Sequence, residues 1–80
     1  MNGNIKKLHS ILMRVLEVDE VTITDEMSPD TVETWDSYNG LMLVSELETV
    51  FDVHFTMDEV VAVKNVKDIK DALQRHDVEI

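Results

Sequence analysis

The sequence predicts a small all-α fold: a four-helix bundle of three main helices and one short helix, with a long loop between helices 1 and 2. Two observations carry that prediction. Apolar residues recur at three- and four-residue intervals in four separate stretches, and no stretch reads convincingly as a strand. The chain has 80 residues, 44% hydrophobic and 30% charged, a globular balance that supports one domain over 1–80 with one modest core.

In the first helix Ile5, Leu8, Leu12 and Val15 form a stripe that Ile11 and Leu16 widen. Asn2 or Asn4 is expected to cap it, and it should end near Glu17. Residues 18–35 then form a connection long enough to require either a hidden short element or a function. It contains the β-branched patch Val21-Thr22-Ile23-Thr24 and a break at Ser28-Pro29. Met27, Val32 and Trp35 are expected to anchor it to the core. The second helix should begin at Asp36 or Ser37 and run to about Asp52. Thr56 and Glu59 form a Thr-x-x-Glu capping box, with Phe55 and Val60 at the positions of a hydrophobic staple, and this predicts a short helix over 57–63. Asn65 can cap the fourth helix, whose stripe is Val66, Ile69, Ala72 and Leu73. Residues 77–80 are expected to fray. The inward stripes predict a core of Leu8, Leu12, Val15, Leu43, Leu47, Val50, Phe51, Phe55, Val63, Ile69 and Leu73.

Charge narrows the function. Seventeen acidic and seven basic side chains leave a formal net charge of −10. No Lys or Arg lies between Arg14 and Lys64, and that interval holds thirteen of the carboxylates. Such a field repels phosphate backbones and anionic lipid, so nucleic acid is not an expected partner and basic protein surfaces are. No apolar run reaches the length of a membrane span. Met1-Asn2-Gly3-Asn4 lacks the basic and apolar regions of a signal peptide, so the expected location is cytoplasmic.

The second helix has two apolar faces. Leu43, Val44, Leu47, Val50 and Phe51, with Gly40, gather on one side; Tyr38, Leu41, Met42 and Ser45 gather on the other, flanked by Glu46, Glu48 and Asp52. Either the long loop folds over the second stripe or that stripe is a docking face with an apolar centre and charged margins.

Catalytic patterns are missing. There is no cysteine, and His9, His54 and His76 are isolated from one another, so no metal-ligand spacing appears. With two glycines the chain has no phosphate-binding loop, and it has no Gly-x-Ser-x-Gly elbow. Of the serines, Ser37 stands apart: it follows Asp36 at a helix start, where free N–H groups and the helix dipole would favour a phosphate. Asp36-Ser37 taken alone reads better as a plain capping pair, since such pairs are common at helix starts.

The surroundings extend the motif. Trp35-Asp36-Ser37-Tyr38, then Leu41, Leu43, Val44, Leu47-Glu48-Thr49-Val50-Phe51, Val53 and Phe55, followed by Asp58-Glu59 and Val66-x-Asp68, resemble the acyl carrier protein family over roughly residues 5–73. The resemblance implies a bundle of three main helices and one short one. It implies that Ser37 receives 4′-phosphopantetheine from coenzyme A, through a separate magnesium-dependent phosphopantetheinyl transferase. The thiol of that arm would hold acyl or aminoacyl groups as thioesters for partner enzymes of fatty-acid, polyketide or specialised lipid pathways. In this picture the chain is a monomeric, non-catalytic carrier. Its partners are acyl-transferring, synthase or ligase enzymes with basic docking surfaces, reading Asp36, Tyr38, Leu41, Met42, Ser45, Glu46 and Glu48. Tyr38 replaces the leucine usual after the serine, Trp35 stands where fatty-acid carriers have a small residue, and Asn39 and Met42 occupy positions often acidic there. In this respect the chain resembles specialised stand-alone carriers with Trp-Asp-Ser. The competing reading is an acidic interaction adaptor without a prosthetic group.

Overall fold

Leu8, Ile11, Leu12 and Leu16 are all buried in the computed structural model, which describes residues 3–80. They lie on α1 (Gly3–Leu16), and three further helices follow: α2 (Ser37–Phe51), α3 (Met57–Ala62) and α4 (Val66–Arg75). A single 3₁₀ turn, Glu20–Thr22, interrupts the long connection, and no strand occurs among the described residues. The all-α bundle with its long α1–α2 loop is therefore present.

α1 packs against α2. Arg14, near the end of α1, pairs with Glu46 of α2, while Asn4 and Lys7 at the start of α1 share a small cavity wall with Val50 and Phe51 at the end of α2. The two helices thus run in opposite directions. α4 closes the core with Val66, Ile69, Ala72 and Leu73, all buried.

Local chemistry sets the boundaries. The Asp36 carboxylate accepts the Asn39 N–H at 2.8 Å and starts α2. Thr56 and Glu59 form the reciprocal capping box of α3, and the Asn65 side chain accepts the Asp68 N–H at 2.9 Å. Three helix ends are followed by an acidic residue in the left-handed region: Glu17 (φ 56°), Asp52 (φ 53°) and Asp77 (φ 65°). After α4 the N–H groups of Val78 and Asp77 reach back to the carbonyls of Leu73 and Gln74, the paired bonds of a Schellman turn, made here without glycine.

The loop is tied down along its length. Met27, Val32 and Trp35 are buried, as their spacing predicts. The carbonyls of Met27 and Asp25 accept the N–H groups of Val66 and Lys67, each at 3.0 Å. Those are donors at the start of α4 that have no partner within the helix. The Lys70 ammonium pairs with Asp25 at 2.7 Å, and the Thr34 hydroxyl donates to the Leu16 carbonyl.

Four expectations are corrected. Val50 is 39% exposed rather than in the core, because it lies on a small, mostly polar cavity shared with Asn4, Lys7, Asp77 and Glu79. Val15, Phe51 and Val63 are partly buried at the core margin. Residues 77–80 do not fray: Val78 and Ile80 pack on the core, and the Glu79 carbonyl accepts the Asn4 side-chain N–H at 2.9 Å. Asn4 itself lies inside α1 and so is not its cap, while Asn2, the other candidate, lies outside the described residues.

Leu47 is 3% exposed. Leu47→Ala should cost about 2–5 kcal/mol, read as a lowered denaturant midpoint at unchanged slope. Val50→Ala should move that midpoint far less.

Candidate functional site

Trp35 is buried and Ser37, two residues later, is exposed. Between them Asp36 turns the chain: its N–H donates to the Thr34 carbonyl at 3.0 Å, and its own carbonyl accepts the Gly40 N–H at 2.8 Å. Asn39 fastens the same corner, its side-chain amide donating to the Thr34 carbonyl at 2.7 Å. The result is a rigid helix start whose first residue offers its hydroxyl to solvent. Among the described residues no group accepts from or donates to that hydroxyl, and the N–H groups of Ser37 and Tyr38 are likewise unpartnered there. Together with the α2 dipole they offer donors to a phosphate at this helix start.

Ser37 also lies on the rim of a cavity of about 630 Å³. Its wall comes from three helices and the loop: Gly40, Leu43, Val44 and Leu47 of α2, Val60 of α3, Ile69 and Ala72 of α4, and Trp35, Phe55 and Val63 between them. Such a volume falls in the range of small-molecule sites. An apolar chain tethered at the rim would find a largely apolar interior.

The outer face of α2 is open. Tyr38 is 71%, Leu41 65% and Met42 40% exposed, and Ser45 is exposed beside them. The long loop does not cover this stripe; it turns its own apolar residues, Met27, Val32 and Trp35, into the core. Leu41 joins the stripe to the cavity rim. The acidic neighbours are less free than their spacing implies. Glu46 pairs with Arg14, and Glu48 accepts the Phe55 N–H at 2.9 Å, with His54 3.5 Å away. Exposed apolar side chains continue onto α3 at Met57 (74%) and Val61 (62%).

Glu59, read from sequence only as a cap, is the electrostatic centre of the opposite wall. Its carboxylate accepts the Thr56 N–H at 2.9 Å, meets the His76 ring nitrogen at 2.9 Å and lies 3.7 Å from Arg75. Its carboxyl is lowered from the ordinary 4.5 to about 2, first by the Thr56 backbone N–H and next by the His76 hydrogen bond. The His76 ring stands edge-on to Phe55, with centroids 5.2 Å apart. This cluster clamps α3 to the end of α4. It joins residues far apart in sequence, and only the capping box pointed towards it.

His9, the third histidine with an acidic neighbour, lies 3.3 Å from Glu20 near the 3₁₀ turn. Among the described residues no group of three or more His, Asp or Glu could hold a metal ion, and no helix is long and apolar enough to cross a membrane.

Compared with known proteins, the chain matches no family model and no curated sequence.

A carboxyl held below its ordinary value favours the folded state above that value and loses its contribution as protons reach it in the native protein. Glu59 should therefore contribute fully above pH 4.5 and lose its contribution as pH falls towards 2. Acid titrations of the denaturant midpoint should fall less steeply across that interval in Glu59→Gln than in the wild type.

Proposed function

We propose that this chain is an acyl carrier protein, with Ser37 as the attachment point of 4′-phosphopantetheine. The observation that carries the reading is the placement of Ser37: an exposed, unpartnered hydroxyl at a helix start, on the rim of an apolar cavity. The residues present fit the group. The free N–H groups of Ser37 and Tyr38 suit its phosphate, and the rim gives it a path to either solvent or cavity. When bound, the arm supplies a thiol that holds acyl or aminoacyl groups as thioesters.

Every other task falls to the chain. Ser37 Oγ supplies the nucleophile to the transferase: a bond forms from Oγ to the coenzyme A phosphorus nearer the pantetheine. The pyrophosphate bond breaks, adenosine 3′,5′-bisphosphate leaves, and the serine proton passes to the transferase. Asp36 holds the corner that presents Oγ. Tyr38, Leu41, Met42 and Ser45 form the docking face for partner enzymes, with Glu46 and Glu48 at its margins, so an enzyme seated there has Ser37 at its edge. Tethering then presents the cargo at high effective concentration. In this reading the chain is a monomer that works in the cytoplasm, and it is a substrate of the transferase rather than a catalyst.

An adaptor without a prosthetic group would use the same exposed stripe of α2, but it gives the Ser37 hydroxyl and the cavity beside it no role. Incubation with coenzyme A, magnesium and a broad-specificity phosphopantetheinyl transferase should add one phosphopantetheinyl group by intact mass, and Ser37→Ala should gain none. A wild-type chain that gains no mass from an active transferase, or a Ser37→Ala chain that does, contradicts the proposal.

A further inference from the structure

Gly40 lies in the first turns of α2, and no glycine among the described residues has a positive φ, so backbone conformation does not require glycine there. Glycine weakens a helix relative to alanine, which leaves its presence to be explained by space. A Cβ at Gly40 would stand 3.7 Å from Nε1 of Trp35. That is ordinary contact, so alanine would fit, but its methyl group would cover the indole nitrogen. Glycine keeps that approach open.

The indole N–H has something to keep open. Trp35 is 6% exposed, and its Nε1–H donates to no acceptor among the described residues. Buried indole N–H groups ordinarily find a partner. Among the described residues no sealed side-chain nitrogen or oxygen lacks one, so this N–H still reaches open space. Trp35 and Gly40 both line the cavity. Of the side chains around it, only Trp35 and Ser37 carry a hydrogen-bond donor; Asp36 and Glu59 present carboxylates already engaged by N–H groups. Once Ser37 is esterified, the Trp35 indole is the one side-chain donor left in the wall.

We infer that the Trp35 N–H is a specificity-determining donor that takes a carbonyl oxygen of the acyl chain carried on Ser37, so that the preferred cargo is an oxo-bearing chain rather than a saturated one. The inference rests on the carrier reading and deepens it. Apart from the engaged carboxylates of Asp36 and Glu59, the rest of the wall is aliphatic and aromatic and suits the hydrocarbon part of such a chain. A chain with no oxygen in reach covers the donor without pairing it, and sites with a dedicated polar group discriminate strongly against ligands that leave it unsatisfied.

The chain has one tryptophan, so its indole gives a single ¹H–¹⁵N cross-peak. Labelled protein is loaded by the transferase from coenzyme A, octanoyl-coenzyme A or 3-oxooctanoyl-coenzyme A, and each loading is verified by intact mass. The indole proton should stay in place with the bare arm, move downfield with the 3-oxo chain and move less with the saturated chain. In Gly40→Ala, loaded to the same extent, the movement should shrink. An indole proton unmoved in both acyl forms, or moved as far by the bare arm, overturns the inference, as does an undiminished movement in Gly40→Ala. Loading without movement defeats this inference alone; absence of loading defeats the carrier reading and takes the inference with it.

Discussion

The burial of Trp35 against the core, two residues before an exposed serine, is the constraint on which the rest of the arrangement depends. A connection of this length would cost a small domain a great deal of order if it hung free. Here its apolar residues serve as anchors at Met27, Val32 and Trp35, and its carbonyls at Asp25 and Met27 cap α4. The loop therefore stands in for the turn that would precede α4 and sets the first turn of α2 at its own other end. Because the indole is fixed inside and the Asp36 carboxylate ends the loop by capping α2, Ser37 emerges at a defined point on the cavity rim.

The same economy appears in the charges. A chain with net charge −10 repels itself, and three of its seven Lys and Arg side chains join one element to another. Arg14 joins α1 to α2, Lys70 joins α4 to the loop, and Arg75 with His76 joins α4 to α3 through Glu59. These pairs are largely solvent-accessible, so each adds little alone, and their value lies in fixing which helix faces which. Several carboxylates left unpaired, among them Glu26, Asp30 and Glu33 on the loop and Asp52 at the end of α2, are open to a basic partner surface.

Most of the fold was legible because its signals are local. Helical spacing marked all four helices, and Asp36, Thr56 with Glu59, and Asn65 marked three of the starts by chemistry confined to one turn. Ser37 and the open face at Tyr38, Leu41, Met42 and Ser45 were legible for the same reason, since a helix too apolar for one interface must show part of itself. What escaped the sequence depends on the partner rather than the residue. Val50 lies on an apolar stripe, yet the helix opposite presents Asn4 and Lys7 to it. Val78 and Ile80 become packing residues only because Asp77 enters the left-handed region and turns the tail back, a position where glycine is the usual cue. The cavity, and the roles of Gly40 and Glu59 in its wall, arise from four segments meeting, and no single segment announces them.

The central claim is that Ser37 exists to be esterified. It is tested most directly on the chain isolated from the cells that make it, by digesting it and fragmenting the peptide that contains Trp35-Asp36-Ser37. The account predicts a phosphopantetheinyl ester at Ser37, released as a characteristic pantetheine fragment. A population in which Ser37 is uniformly a free hydroxyl would contradict it.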